Sequence, residues 1–272
     1  MEEGHAIFDR PAPGAVTAGA GFAQAGGLCQ AGGVDVGILG GTGPAGLGLA
    51  ARLAAGGLAV VVGSRDEERA TAAVAELRAR WPDRALAARA GTNAVAAEAA
   101  LVVVATPWDA AEQTVVGLAD ALAGKVVVSM ANALVGVGRE IQAVVPARGS
   151  VAAGIAAALP RSRVAAAFHH LPAKELAALD AEMEGDVLVC ADEPAARLAT
   201  AALVARMPRL RALDAGSLAA AAPVESFTAV LLGLNRRYRT RAALTVTGIP
   251  GAGMAEVLEK EGGPAGASGR CA

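Results

Sequence analysis

The sequence predicts an α/β fold: a doubly wound, mostly parallel sheet followed by a smaller C-terminal α/β domain. Strands and helices alternate from residue 34 onward. Several strands, such as those in LVVVAT and KVVVSM, are almost continuous valine and leucine runs, which is typical of parallel strands covered by helices on both faces. The third observation is a glycine-rich turn between the first strand and the first helix.

This turn lies in a β-α-β unit of about 30 residues. An apolar run over residues 34–39 predicts a buried strand, and a helix over 44–55 and a second strand over 58–63 follow it. Between the first strand and the helix stands the motif Gly41-Thr42-Gly43-Pro44-Ala45-Gly46. In such a G-x-G-x-x-G motif, the first glycine permits a tight turn, the second leaves room for phosphates, and the third lets helix and strand pack closely. Because N–H groups at a helix start attract anions, the motif predicts a Rossmann dinucleotide site; a turn that binds nothing is the alternative.

The end of the second strand indicates which dinucleotide is bound. An Asp or Glu about 20 residues past the glycines would hold the ribose 2′-hydroxyl of NAD. This chain has Ser64 there, with Arg65 directly after it. A guanidinium offers a planar fork of donors to phosphate oxygens, and such a charge-assisted bond is worth ~1.5–3 kcal/mol. We therefore predict that Ser64, Arg65 and Arg69 hold the 2′-phosphate of NADP(H).

The same residues also allow a structural interpretation. Ser64-x-x-Glu67 matches a capping box for a helix that begins at Arg65. On that helix, Arg65 and Arg69 would share one face as ordinary solvated charges. Both interpretations remain open at this point, and Ser64 can serve in both.

The chain is predicted to have four parts. Residues 1–33 form a flexible N-terminal tail, 34–168 the NADP-binding Rossmann domain, 169–249 the smaller C-terminal domain, and 250–272 a flexible tail. Asp109-x-x-Glu112 predicts a second capping box, and glycines within residues 135–138 predict a connector. The other predicted helices span residues 66–81, a short stretch from 93, 109–123, 150–159, 174–179, 194–207 and 223–238, and the other strands 85–90, 101–105, 125–129, 163–168, 186–190 and 209–213.

Composition argues against several classes of protein. The net charge of −2 gives no case for a nucleic-acid partner. Cys29, Cys190 and Cys271 stand alone, which favours neither a disulfide framework nor a metal site, and Cys190 reads as a small buried residue of a strand. No apolar run of about 18 residues lacks a charge or break, and the N-terminus lacks the basic start of a signal peptide. We expect no membrane span and a cytoplasmic protein.

Candidate ligand contacts follow the predicted strands, because ligands bind at the carboxyl edge of such sheets. Thr106-Pro107-Trp108 follow one strand and Ala131-Asn132 the next; Trp108 serves equally well as a core residue. His169 and His170 follow a third strand, either to contact the acceptor or as structural histidines. The arginines of residues 236–241 either stabilise a helix C-terminus or attract an anionic substrate.

We find no nucleophile elbow and no acidic pair beside a histidine at a strand end. Hydride transfer needs neither, because its main requirement is that two rings are held face to face in a dry slot. The sequence fits that chemistry.

Over residues 36–249 the chain resembles the NADPH:coenzyme F420 oxidoreductases, or F420-dependent NADP reductases. The resemblance rests on GILGGTGPAGLGLAARLA, VVVGSRDEERA, ATPWDAA, KVVVSMANAL, AAFHHLPA, LVCADE, LDAGSL, VESFT and LLGLNRRYRTRAALTVTGI. It implies a reversible hydride transfer between C4 of NADPH and C5 of the deazaflavin F420. It also implies a homodimer in which the smaller domain helps to bind F420.

The resemblance further implies individual roles. His169 and Leu171 would flank the reacting rings, and Arg236 and Arg237 are candidates for the anionic tail of F420. Pro44 departs from the polar residue often found at its position, but it presets the helix start. The implied cofactor contacts are Thr42, Gly43, Pro44 and Ala45 at the pyrophosphate, Ser64, Arg65 and Arg69 at the 2′-phosphate, and Pro107, Ala131 and Asn132 at the nicotinamide.

Two other functions remain open on the sequence. One is an NADPH-dependent reductase of another small carbonyl or imine, because small residues on the acceptor side suit a different substrate. The other is a non-catalytic NADPH-binding sensor, for which the sequence offers no partner helix or DNA-binding motif.

Overall fold

The computed structural model describes residues 35–249 and 253–254. The predicted tails and the N-terminal end of the first strand, at Val34, lie outside these residues, apart from Gly253 and Met254. The strands are β1 (Val36–Leu39), β2 (Val60–Ser64), β3 (Ala88–Thr92), β4 (Leu101–Val104), β5 (Val126–Ser129), β6 (Leu134–Val137), β7 (Glu140–Ala143), β8 (Arg163–Ala166), β9 (Gly185–Ala191) and β10 (Leu210–Asp214).

Nine α-helices and one 3₁₀ turn are found among the described residues. The turn, Leu218–Ala220, leads directly into the last helix. The helices are α1 (Pro44–Ala55), α2 (Glu67–Arg80), α3 (Asn93–Ala97), α4 (Trp108–Val116), α5 (Ala119–Leu122), α6 (Val151–Ala158), α7 (Ala173–Leu176), α8 (Pro194–Val204) and α9 (Ala221–Tyr238).

Eight strands form one sheet in the order β10-β9-β8-β5-β4-β1-β2-β3. Every neighbouring pair is parallel except β8 and β9. This confirms the predicted doubly wound, mostly parallel sheet. The strand order reverses between β1 and β4, which is the switch point where sheets of this kind bind ligands.

Both faces of the sheet are buried, as the valine-rich strands predict. Ile38 and Val103 point into one apolar layer with Leu49 of α1 and Leu203 of α8. Leu39 and Val104 point into the opposite layer, which contains residues of α4 and α6. Alternate residues along each central strand therefore enter opposite cores.

The sheet continues past residue 168, where the sequence predicts a boundary between domains. β8 pairs with β5 on one side and with β9 on the other. The segment that holds α7 also packs on α1: the Arg52 guanidinium donates to the carbonyls of Glu175, Leu176, Ala178 and Ala181. The division at 168 stays a prediction.

The predicted capping box after β2 is wrong. α2 begins at Glu67 rather than at Arg65, and its N-cap is Asp66, whose carboxylate accepts from the N–H groups of Glu68 and Arg69. Ser64 instead accepts from the N–H of Asp66 in the preceding turn. Two residues that favour the N-cap position stand two positions apart here, and Asp66, directly before the first helical residue, caps the helix. Arg65 therefore precedes the helix, and it does not share a helical face with Arg69.

Two further local predictions are also wrong. The helix expected over 109–123 is divided into α4 and α5, and α4 begins at Trp108 after Pro107 with no side-chain cap. The connector expected over 135–138 is β6 and the start of an antiparallel hairpin, in which Val135 pairs with Gln142. Gly138, with φ +59°, forms its turn.

One helical stretch, Leu218–Tyr238, is long and apolar enough by composition to cross a membrane, although the sequence predicts no span. Core helices meet the same criterion. This stretch carries Glu225 and Thr228, both buried against other parts of the protein. Its composition therefore carries no conclusion about a membrane.

Candidate functional site

The carboxyl ends of four parallel strands lie side by side at the switch point. The Ala105 N–H donates to Leu39 O at 2.9 Å, the Met130 N–H to Val104 O at 3.1 Å, and the Ala167 N–H to Ser129 O at 3.0 Å. These bonds align the ends of β1, β4, β5 and β8. The glycine loop, Thr106, Asn132 and His169 consequently follow adjacent strand ends, as predicted from the sequence.

The glycine loop leaves space at the start of α1. Gly40 has φ +66°, and the Gly41 N–H donates to Gly63 O at 2.9 Å. A Cβ on Gly43 would meet nothing closer than 3.9 Å, whereas a Cβ on Gly46 would lie 2.8 Å from Gly41 Cα and 3.0 Å from Ala105 Cβ. Gly43 therefore keeps the approach open and Gly46 sets how closely the helix packs.

The first turn of α1 is free to receive an anion. Pro44 is the first helical residue, Gly43 is the N-cap, and no side chain of the described residues accepts a hydrogen bond from the N–H groups there. The first N–H groups of a helix have no intrahelical partner. Those of Ala45 and Gly46 thus face the open side of the loop together with the positive end of the helix dipole.

The loop is held by a residue that our sequence reasoning missed. Asn93, the first residue of α3, accepts from the Gly40 N–H through Oδ1 at 3.1 Å across 53 residues of sequence. The only local signal is an asparagine next to the helix cap Thr92, which is also what an ordinary cap region contains. The contact itself has no sequence signature.

The end of β2 and the start of α2 provide one buried hydroxyl and two exposed cations. Ser64 is 6% exposed, and its Oγ accepts from the Asp66 N–H at 3.2 Å. Arg65 and Arg69 are exposed, and neither side chain has a hydrogen-bond or ion-pair partner within residues 35–249 and 253–254. No carboxylate stands at Ser64 or Arg65, where it would repel a phosphate.

Two hydroxyl groups at strand ends are buried without partners. Thr106 follows β4 and Ser129 ends β5; Thr106 Oγ1 and Ser129 Oγ have no hydrogen bond to the part of the protein that is described. An unsatisfied buried hydroxyl costs about 1–3 kcal/mol, so such groups are uncommon without a reason. Ser129 was not predicted from the sequence, although a serine that ends the valine run KVVVS is a visible signal.

Asn132, His169 and Thr228 form one hydrogen-bonded unit. Asn132 Nδ2 donates to His169 O at 3.0 Å. Thr228 Oγ1, on α9, lies 3.2 Å from Asn132 Oδ1 and 3.3 Å from His169 O, so that its one hydrogen is shared. The unit joins the ends of β5 and β8 to the last helix.

The two histidines have different surroundings. The His169 ring is buried, and Nδ1 and Nε2 both lack a partner among the described residues, so it is not a satisfied structural histidine. Burial, followed by the neighbouring His170, lowers the pKa of His169 to about 3. His170 Nε2 lies 2.7 Å from Asp186 O, which supports the structural interpretation for His170, although its Nδ1 has no partner among the described residues. Burial lowers the pKa of His170 as well.

The residues around His169 are buried and apolar. Phe168 is 1% exposed and has φ +67°, a conformation that is strained for a non-glycine residue. Leu171 is 7% exposed and belongs to the α1 layer of the core. Ala131, after β5, is also buried. This part of the edge is accordingly dry.

Glu225 fixes α9 to the same edge. Its buried carboxylate accepts from the N–H groups of Val151 and Ala152 at 2.9 and 3.0 Å, at the start of α6. Burial raises the pKa of Glu225, and the two N–H donors oppose that rise. Glu225 and Thr228 lie three residues apart, so that one face of α9 contacts both α6 and the Asn132 unit.

The remaining candidates have structural contacts. Arg236 donates to Arg139 O and Arg237 to Glu140, both in the hairpin β6–β7. Trp108 packs against the α6 layer of the core and also lines a cleft of about 570 Å³. Cys190 is buried, as predicted, and its thiol is free among the described residues; burial raises the pKa of this thiol to about 11.

The described residues fit a dinucleotide that carries a 2′-phosphate. The open loop at Gly43 and the uncapped start of α1 suit a pyrophosphate. After β2, the guanidinium groups of Arg65 and Arg69, which have no partner among the described residues, and the absence of a carboxylate at positions 64 and 65 suit the additional phosphate. The dry edge beyond Thr106 suits a flat ring.

Comparison with known proteins agrees with this fit. The sequence model of the family described as NADP oxidoreductase, coenzyme F420-dependent, matches residues 35–133. The F420-dependent NADP reductase of Methanothermobacter marburgensis is 34% identical over 80% of this chain and 100% of its own length. That of Methanocaldococcus jannaschii is 31% identical over 76% of this chain and 95% of its own length.

Among solved structures, the chain is similar to a candidate F420-dependent NADP reductase from Arthrobacter sp. FB24. The TM-score is 0.66 and the identity 25%, over 78% of this chain and 98% of the other. Because full-length relatives above 30% identity align over most of the chain, the protein belongs to the F420-dependent NADP reductase family of oxidoreductases.

Proposed function

We propose that this protein transfers hydride reversibly between NADPH and coenzyme F420. The observation that carries the proposal is the row of strand ends at the switch point. It leads from exposed guanidinium groups, past an open glycine loop, to a dry edge with unpartnered polar atoms. The balanced reaction is NADPH + H⁺ + F420 ⇌ NADP⁺ + F420H₂, with hydride passing between nicotinamide C4 and deazaflavin C5.

The first group of residues binds NADPH. Arg65 and Arg69 pair with the 2′-phosphate, and Ser64 is placed to donate to it. Gly41 and Gly46 shape the turn, and the N–H groups that follow attract the pyrophosphate. The residues of the glycine motif in this role are Gly41, Thr42, Gly43, Pro44, Ala45 and Gly46.

The second group orients the rings. Thr106, Pro107, Ala131 and Asn132 border the nicotinamide, and the Thr106 hydroxyl is buried without a hydrogen-bond partner in the described structure. Asn132 also holds the His169 carbonyl. His169 and Leu171 flank the reacting rings and exclude water.

His169 acts as a neutral group in this scheme. Because burial lowers its pKa to about 3, it is an imidazole rather than an imidazolium at neutral pH. It can therefore accept or donate one hydrogen bond and pack against a ring, while the proton of the reaction comes from solvent. We expect His169→Ala to lower kcat much more than it changes the Kd for NADPH.

The decisive experiment mixes the purified protein, NADPH and F420 without oxygen. The proposal predicts loss of the deazaflavin absorbance at the rate of NADPH oxidation. If NADPH binds but F420 is not reduced, a reductase of another carbonyl or imine is favoured. Tight NADPH binding with no turnover of any acceptor would favour the sensor.

A homodimer is part of the proposal. The hairpin β6–β7 packs against α9, and these elements expose Val135, Val137, Val230 and Tyr238. Exposed apolar side chains on adjoining elements are typical of a protein interface, and a second copy of this chain is the proposed occupant. Light scattering after size exclusion measures the mass, which should be twice that of the chain.

Domain organisation and location are also proposed. The C-terminal part, residues 169–249, would contribute His169, Leu171 and α9 to the acceptor site beside the NADP-binding part, residues 34–168. The buried free thiol of Cys190 is compatible with a reducing compartment, and we propose a cytoplasmic protein with F420 as its small-molecule partner and with neither a nucleic-acid nor a membrane partner.

A further inference from the structure

The position of Asn93 suggests more than a structural role. α3 lies very close to the sheet: a Cβ on Gly37 would overlap Ala96 O, and a Cβ on Gly63 would lie 2.9 Å from Asn93 Oδ1. Asn93 is therefore fixed between the ends of β1 and β2. Those strand ends carry the glycine loop and Ser64-Arg65, which are the two parts of the proposed NADP site.

The hydrogen bond to Gly40 determines which way the carboxamide faces. The Gly40 N–H is a donor, so the atom 3.1 Å from it must be the oxygen Oδ1. Nδ2, with two hydrogens, then occupies the other position. Nδ2 makes no hydrogen bond within residues 35–249 and 253–254. It is also not one of the fully buried polar atoms that lack a partner, so it is in contact with solvent.

Asn93 as a residue is 9% exposed, and because Nδ2 is neither hydrogen-bonded nor fully buried, Nδ2 is part of that exposed surface. Since Oδ1 is held above the ends of β1 and β2, this surface lies at the carboxyl edge, on the side of the dinucleotide site where Ser64 pairs with Thr92. The pyrophosphate is expected at the start of α1 and the 2′-phosphate at Arg65. The adenosine half of the dinucleotide lies between those two points.

We infer that Asn93 is a further NADP-binding residue, whose Nδ2 donates to an oxygen of the adenosine half while Oδ1 holds the Gly40 N–H. One carboxamide then couples the conformation of the glycine loop to the bound nucleotide. This inference rests on the proposed function only in that NADP(H) is the dinucleotide. It does not depend on which acceptor is reduced.

The test measures binding without F420. The Kd of NADP⁺ and of 2′,5′-ADP, the phosphorylated adenosine fragment, is determined by calorimetry for the wild type and for Asn93→Ala. Ser162→Ala is the control, because Ser162 Oγ donates to Leu122 O at the amino ends of β5 and β8, away from the carboxyl edge. We expect Asn93→Ala to raise both Kd values about 10-fold or more, and Ser162→Ala to lower the Tm with less than a twofold change in either Kd.

A second variant separates direct donation from loop geometry. Asn93→Asp retains an oxygen for the Gly40 N–H but has no donor at neutral pH, so we expect a wild-type Tm and binding at least as weak as that of Asn93→Ala. Wild-type affinity in Asn93→Asp would overturn the inference, as would an Asn93→Ala variant that weakens NADP⁺ but not 2′,5′-ADP. A wild-type protein that binds neither ligand would instead contradict the proposed function.

Discussion

The Asn132 side chain donates from Nδ2 to the His169 carbonyl oxygen at 3.0 Å, joining the ends of two strands that belong to different halves of the chain. β5 and β8 are already neighbours in the sheet, but their backbone pairing stops before these residues. The amide therefore sets the direction in which the chain leaves β8. Thr228 on α9 supports both partners from the other side.

We expect Asn132→Ala to impair turnover more than binding. Loss of the hydrogen bond frees the His169 backbone. If the ~1 kcal/mol that this bond contributes serves to position His169 for the reaction, its loss lowers kcat roughly five- to tenfold. Steady-state kinetics should show that fall with a smaller change in the Kd for NADPH. Asn235→Ala is the control, because the Asn235 side chain accepts through Oδ1 only from the Ala242 N–H among the described residues; an equal loss in both variants would contradict the prediction.

Arg65→Ala should discriminate between the two nicotinamide dinucleotides. If the guanidinium contributes ~1.5–3 kcal/mol to the 2′-phosphate, its removal raises the Kd for NADPH about 10- to 100-fold, while the Kd for NADH barely changes. Fluorescence titration with both ligands measures the difference. Arg80→Ala removes an exposed arginine from the far end of α2 and should affect neither. Equal weakening of NADPH and NADH by Arg65→Ala would exclude the proposed role.

Two alanine substitutions in one glycine motif should change different properties: one should weaken NADPH binding and the other should lower stability. Gly43→Ala places a methyl group in open space at a φ of −73° that alanine tolerates, so the Tm should be unchanged while the Kd for NADPH rises at least several-fold. Gly46→Ala puts a methyl group 2.8 Å from Gly41 Cα and should lower stability by about 1–3 kcal/mol through overpacking. Calorimetry and titration distinguish the two; a stable Gly46→Ala variant would show that α1 can move.

The parts of the fold that sequence predicts best are those with local causes. α1 spans residues 44–55 as predicted because a proline at the first position and an alanine- and leucine-rich run specify both its start and its length. The valine-rich strands were recognisable because burial on two faces leaves a continuous apolar run. The glycine motif predicts which residues form the turn before α1.

The parts that sequence missed depend on distant contacts. The Gly40–Asn93 bond spans 53 residues, and the Glu225 cap on α6 spans 73 or 74. Neither leaves a periodic or local pattern. The sequence predicts a connector over 135–138 because Gly136 and Gly138 stand there. The strands β6 and β7 are largely exposed, so they lack the apolar alternation that identifies a strand.

His169 should give a characteristic pH dependence of stability. Burial lowers its pKa from 6.5 to about 3, so between those values the unfolded chain binds a proton at this position and the folded protein does not. The stability associated with its neutral state is fully present above pH 6.5 and is lost progressively as the pH falls toward 3. We therefore expect the free energy of unfolding, measured in urea at pH 7.5 and 5.0, to fall less in His169→Leu than in the wild type.

The lowered pKa of His169 also affects the expected pH dependence of kcat. A histidine that stays neutral gives no transition in kcat near pH 6.5, so the wild-type profile between pH 5.5 and 8 should lack one. Burial also lowers the pKa of His170 from its usual value. An imidazole transition near pH 6.5 that disappears in His169→Gln would mean that His169 is protonated during catalysis, and it would then have to supply the proton of the reaction.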